Sequence, residues 1–201
     1  MRRFMVASVL VLCASVAACQ GGGEPSTVPT FPRPTTPSGC PMPPVVPVDP
    51  ASVVKPGPSN GLPQTTARGE PMVIVGVVLD PACRPAAGAT VNLWHTDSAG
   101  LYAPKGSTEE CCYYQGTVLT DANGQFRLES IRPAQYPEPG APPAHVHLEL
   151  RHTSGKLNPE IVFTTNPAPV TTVRPSHTAP VFLGQRDNAF YGEVAFVLEK
   201  P

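Results

Sequence analysis

His145 and His147 stand two residues apart in a run that alternates apolar with polar residues. Ala144, Val146, Leu148 and Leu150 interleave with His145, His147, Glu149 and Arg151. Such alternation predicts a strand with one apolar face and one face that carries all the chemistry. Side chains at i and i+2 of a strand share a face about 6–7 Å apart, close enough for two imidazoles to hold one metal ion. Just upstream, Tyr136 opens the stretch Tyr-Pro-Glu-Pro-Gly-Ala-Pro-Pro-Ala, whose prolines forbid regular structure and stiffen the backbone. Taken alone, the pattern admits two readings. One is a metal site, with zinc held by both histidines and Glu149 as an option; the other is an ordinary solvated strand face.

The elements that must position these residues read as short strands separated by turns. Residues 72–79 (Met-Val-Ile-Val-Gly-Val-Val-Leu) form a buried run whose Gly76 signals a bulge or a close approach. Residues 80–88 turn the chain, 89–96 form a second strand, and Asp97-Ser98-Ala99-Gly100 turns it again directly before Tyr102. Residues 117–120 and 125–131 flank Asp121-Ala122-Asn123-Gly124, a hairpin signal. Strands are also predicted over 160–165 and 191–198, and residues 165–180 are long enough to form a lid. No segment sustains a helical period. The expected fold class is all-β, an antiparallel sandwich behind a Pro-rich extended N-terminal segment.

Composition narrows the context. The net charge of −1 over 201 residues, without a basic run, argues against nucleic acid. Arg2 and Arg3 precede an uncharged run over residues 4–18, too short to span a bilayer and suited to a secretory signal. It ends Val16-Ala17-Ala18-Cys19, which resembles the lipobox of bacterial lipoproteins, where Cys19 would be the lipidated residue. Residues 1–18 are therefore expected to be a signal peptide, and the mature chain an extracytoplasmic, membrane-anchored lipoprotein of the cell envelope. Residues 19–63 hold 13 of the 28 prolines and read as a disordered tether, on the order of 100 Å at ~3 Å per residue. Residues 64–201 form the domain. Outside the cytoplasm, Cys40, Cys83, Cys111 and Cys112 read as disulfides. Adjacent cysteines rarely bond each other, so Cys111 and Cys112 are expected to take Cys40 and Cys83 in one of two ways.

One ordered set of motifs resembles the intradiol ring-cleavage dioxygenases, the protocatechuate and catechol dioxygenase group. It runs Gly76-Val77-Val78-Leu79-Asp80, Pro85, Gly88-Ala89-Thr90-Val91-Asn92-Leu93-Trp94, Asp97 and Gly100-Leu101-Tyr102. It continues through residues 120–126, Ile131-Arg132-Pro133, Tyr136-Pro137, Pro143-Ala144-His145-Val146-His147 and residues 157–163, and covers roughly residues 68–199. Cys40 and Cys83 are similar to cysteines of secreted members. The resemblance implies a non-haem Fe(III) held by Tyr102, Tyr136, His145 and His147. Tyr136 and His147 would be axial, with Tyr136 displaceable, and Tyr102 and His145 equatorial. It implies a catechol-type substrate and O2 as partners, and ring opening between the two hydroxylated carbons to a muconate-type diacid. The residue types suit the ion, since a hard, highly charged cation favours hard phenolate oxygen. Tyr113 and Tyr114 do not match the ligand spacing and read as packing residues; Trp94 reads as core, and His95, His152 and His177 as surface or turn histidines without a role.

Two positions depart from the family. An arginine expected three residues before His145 is Pro142, and a glutamine expected in the following strand is Glu160. Loss of the guanidinium would remove several kcal/mol of transition-state stabilisation. Two alternatives remain beside the dioxygenase. One is a non-catalytic transthyretin-like or carboxypeptidase-regulatory-like binding sandwich, which shares the opening motifs. The other is a degenerate dioxygenase that keeps its iron.

Overall fold

The structure is a computed structural model that describes residues 39–57, 69–103, 111–164 and 178–201. The signal, Cys19, most of the tether and most of the candidate lid (residues 165–177) lie outside the described residues. The apolar run near residue 72 becomes β2 (Pro71–Leu79), and it is apolar on both faces because both are covered. Met72, Ile74 and Val78 point into the main core. Val77 and Leu79 point the other way, onto Cys40 and Met42.

β2 lies at the centre of a five-stranded sheet. The other members are β1 (Val53–Val54), β5 (Gln125–Ile131), β10 (Gly184–Arg186) and β11 (Ala189–Val197), in the order β1-β5-β2-β11-β10. The second sheet holds β3 (Thr90–His95), β4 (Tyr114–Leu119), β6 (His145–His152), β8 (Glu160–Thr164) and β9 (Thr178–Phe182), in the order β4-β3-β6-β8-β9. β7 (Gly155–Leu157) pairs with β6. Phe126 and Leu128 of the first sheet meet Val91, Leu93, Val146, Leu148 and Leu150 of the second in one core. This is the expected β-sandwich, with most pairs antiparallel; β2–β11, β1–β5 and β8–β9 are parallel.

Gly76 marks a close approach. It lies opposite Phe126 in the register, and a Cβ there would fall 2.1 Å from the Phe126 ring. The missing side chain is what lets that ring lie across β2.

Three expectations are corrected. Asp121–Gly124 is a tight turn, with Asp121 Oδ1 accepting from the backbone N–H of Asn123 and of Gln125, each at 2.8 Å. It does not close a hairpin, because β4 pairs with β3 and β5 with β2; the turn carries the chain from one sheet to the other. Residues 39–57, expected within the tether, are built into the domain. They bury Cys40, Ser52 and Val54, form a 3-10 turn (Pro50–Ser52), and add β1 to the first sheet. The disulfides are Cys40–Cys83 and Cys111–Cys112. Segment 39–49 covers the first sheet beside the turn that follows β2, which brings Cys40 to Cys83; Cys111 and Cys112 enter β4 in the second sheet instead.

Candidate metal centre

Alternation along β6 sends Val146, Leu148 and Leu150 into the core and turns His145 and His147 to the outer face of the second sheet. Two connections arch over that face. The turn after β3 carries Tyr102, and the proline-braced segment between β5 and β6 carries Tyr136. They are laced to each other, the backbone N–H of Ala134 donating to the Asp97 carbonyl (3.0 Å) and Thr96 Oγ1 to the Ala134 carbonyl (2.7 Å). Asp97 Oδ1 shapes the first arch by accepting from the N–H of Ala99 and of Leu101. Tyr113 reaches back with its N–H to the Tyr102 carbonyl at 2.6 Å.

The four side chains converge. Tyr102 Oη lies 2.5 Å from Tyr136 Oη and 2.8 Å from His147 Nε2. Tyr136 Oη lies 3.0 Å from His145 Nε2 and 3.4 Å from His147 Nε2, and the two Nε2 atoms are 3.0 Å apart. His145 Nδ1–H donates to the Pro143 carbonyl at 2.7 Å, which fixes its tautomer and leaves Nε2 a bare lone pair. Glu160 Oε1 stands 3.3 Å from His147 Nδ1 and favours the proton on that nitrogen. The two Nε2 atoms thus stand 3.0 Å apart, each with a phenol hydroxyl in reach to donate to it, and a cation that replaced the phenol protons would meet four donors at once. Donors bound at about 2.0–2.2 Å to one ion lie roughly 2.8–3.4 Å from each other, which matches every one of these pairs except Tyr102–Tyr136, whose 2.5 Å is that of a short hydrogen bond and would have to open around a metal.

The electrostatics agree with that fit. Burial, then the hydrogen bond that Tyr102 O–H donates to Tyr136 Oη and the nearby negative charge of Glu160, push the Tyr102 phenol well above its ordinary range. A bound cation is what would ionise it. Burial, reinforced by His145, lowers the His147 imidazole and keeps it neutral, the form that ligates.

Several residues stand elsewhere than expected. Glu149 is no ligand, because Asn92 Nδ2 donates to its Oε2 at 3.0 Å and Arg151 pairs with its Oε1. Trp94 is not core. It lies on the outer face in register with His147 and stacks on that ring, centroids 5.2 Å apart and planes 14° apart. His95 is fully buried rather than a surface residue, Nδ1 donating to the Thr96 carbonyl and Nε2 lying 2.8 Å from Ser130 Oγ. The alternation of residues 90–95 carried both signals, since it sets Val91, Leu93 and His95 on one face and Trp94 on the other. Tyr114 packs against His95, as a non-ligand should. Pro142 is exposed at the turn before His145.

The dioxygenase family model matches residues 59–169. The chain belongs to the intradiol dioxygenase family. Chlorocatechol 1,2-dioxygenase of Pseudomonas sp. (strain P51) is 35% identical to this family member over 80 residues, 40% of this chain and 32% of that protein. Catechol 1,2-dioxygenase 1 of Acinetobacter lwoffii is 34% identical over 89 residues, 43% of this chain and 27% of its own. This intradiol dioxygenase chain thus spans about a third of the length of the curated relatives it matches. Among solved structures, the dioxygenase domain of a dioxygenase carbohydrate-binding protein fusion from Streptomyces sp. SirexAA-E is similar at a TM-score of 0.53 and 25% identity, covering 84% of this chain and all of that one (100%). Catechol 1,2-dioxygenase from Pseudomonas arvilla C-1 shares the fold at a TM-score of 0.56 and 24% identity, over 74% of this chain and 56% of its own. A generic binding sandwich is thereby set aside as the family.

Proposed function

We propose that the chain is a non-haem Fe(III) intradiol dioxygenase that inserts both atoms of O2 into a catechol-type aromatic and opens the ring between its two hydroxylated carbons to a muconate-type diacid. The observation that carries this reading is the meeting of two phenol oxygens and two imidazole nitrogens at one point. Held by Tyr102, Tyr136, His145 and His147, ferric iron would supply the electron-accepting centre that makes a catechol reactive toward O2 without an external reductant.

The residues of the chain supply the rest. Tyr102, His145 and His147 are tied to strands or to a tightly hydrogen-bonded turn and hold their positions. Tyr136 stands on the proline-braced connection, so if it is the ligand that yields its place it would do so by side-chain rotation, with its backbone held. Its phenolate oxygen is within reach to take one proton from an incoming catechol hydroxyl. Two tyrosinates and a hydroxide would leave a trivalent ion neutral overall, as a half-buried site requires. The second sheet walls the site off from water beneath His145 and His147.

We also place the protein outside the cytoplasm, anchored through acylated Cys19. The signal-like run of residues 4–18 and the cysteine at its end support that placement.

The test is the visible spectrum of the purified protein loaded with Fe(III). Tyrosinate-to-iron charge transfer should colour it red-brown, and the band should move when a catechol is added without oxygen. Tyr102→Phe or Tyr136→Phe should abolish or displace the band. With oxygen, a muconate-type diacid should accumulate. A colourless protein that holds no iron would sink the reading, and a coloured one that never opens a ring would be the degenerate, iron-keeping form. For the anchor, Cys19→Ser should move the protein from the membrane fraction to the soluble one.

A further inference from the structure

His147 is held differently from His145. Three residues on adjacent strands share one register: Trp94 of β3 lies opposite His147 of β6, which lies opposite Glu160 of β8. Trp94 stacks on one side of the imidazole, and the Glu160 carboxylate stands 3.3 Å from its Nδ1 on the other. His145 rests instead on a neutral acceptor, the Pro143 carbonyl. One imidazole is therefore backed by an anion and the other by a dipole. Glu160 could be mistaken for a further ligand, because it groups with both histidines within 4.8 Å. It approaches the nitrogen that faces away from the meeting point of the Nε2 atoms, and one imidazole cannot turn both nitrogens to the same ion.

We infer that Glu160 is a positioning residue that also sets the charge of the metal centre: it orients His147 through Nδ1 and makes the site one unit more negative, so that catechols with a cationic or neutral ring substituent are preferred to those with a carboxylate. The inference rests on the dioxygenase reading for its substrate class. The charge count follows from the donors. Two tyrosinates and a hydroxide already neutralise a trivalent ion, so the Glu160 carboxylate beside it is left without a compensating charge. A carboxylate on the incoming ring would then meet an uncompensated anion, whereas an ammonium group would meet a partner. Glu160 and His147 have side chains 40% and 23% exposed, so solvent screens the effect without abolishing it.

Anaerobic binding to the Fe(III)-loaded protein, read from the tyrosinate band, tests this without turnover. The probes are catechol, 3,4-dihydroxybenzoate and dopamine, compared between the native protein and Glu160→Gln, which keeps the shape and an acceptor but removes the charge. The native protein should bind dopamine more tightly than 3,4-dihydroxybenzoate. Glu160→Gln should narrow that ratio roughly tenfold, the size expected for one unit charge several Å away in a partly solvated site. It should leave catechol nearly unchanged and shift the band. Glu160→Ala, which also removes the contact, should weaken iron binding by about ten- to a hundredfold. An unchanged ratio in Glu160→Gln overturns the inference while the coloured site stands. A protein that never colours overturns both it and the dioxygenase reading. The stated charge preference in a protein that opens no ring supports Glu160's role and defeats only the dioxygenase reading.

Discussion

Gly100 lies so close to Gln135 that a Cβ on it would stand 2.1 Å from the Gln135 carbonyl oxygen and 3.2 Å from the Cα of Tyr136. The two arches that carry the tyrosines are thus packed backbone against backbone, and Gly100 (φ +82°) supplies a left-handed turn that a side chain would strain. Gly100→Ala should push the Tyr136 arch away from the other three donors. Iron affinity, measured by competition with a chelator, should fall at least tenfold. The urea midpoint of the metal-free protein should fall only by the equivalent of about 1–2 kcal/mol, the cost of a left-handed non-glycine residue.

Trp94 fixes the plane of the His147 ring by stacking on it. Trp94→Phe keeps an aromatic surface and should retain most iron affinity. Trp94→Ala should lose about ten- to a hundredfold, as removal of an outer support of a ligating imidazole does. Iron titrations of both variants followed in the visible region check the difference. No loss in either variant would mean that the ring is held by Glu160 alone, and equal losses would mean that only the indole can hold it.

Much of the site was legible because strand periodicity is short-ranged. His145 and His147 had to share a face, and the apolar partners at 146, 148 and 150 said which face was outward. The tyrosines lie on irregular segments, where no period speaks; only the ordered resemblance joined Tyr102 and Tyr136 to the histidines. The support from Trp94 and Glu160 depends on the register of β3, β6 and β8, a property of three strands together. The same limit explains the turn at Asp121–Gly124. Its local chemistry was plain, but whether flanking strands pair with each other depends on which sheet each one joins. Residues 39–57 misled for a related reason, since their proline content hides the contacts that Cys40, Ser52 and Val54 make with distant strands.

The disulfides should differ sharply in what they contribute. Cys40–Cys83 closes a loop across 43 positions, and restricting the unfolded chain by that much stabilises the fold by about 4 kcal/mol. Cys111–Cys112 joins neighbours and closes no loop of consequence. Paired Cys→Ser variants compared by urea unfolding should show a loss on that scale for Cys40/Cys83 and a much smaller one for Cys111/Cys112.

His95 should make the fold sensitive to acid. It is fully buried, stacked on Tyr114 and bonded to Ser130 and to the Thr96 carbonyl. Burial, opposed only in part by the Thr96 carbonyl and Asp97, lowers its pKa from 6.5 to about 4. The imidazole is therefore neutral in the fold and protonates more readily once unfolded. Its contribution is fully present above pH 6.5 and is lost as pH falls through about 4, because the unfolded chain binds the proton first. The lost stability amounts to roughly 3 kcal/mol. Urea unfolding of the metal-free protein should show that decline between these limits, and the His95 ring protons should stay at their neutral shifts in NMR spectra down to about pH 5. A His95 resonance titrating near 6.5 would show the ring to be open to solvent, and the acid sensitivity would then have to come from another group.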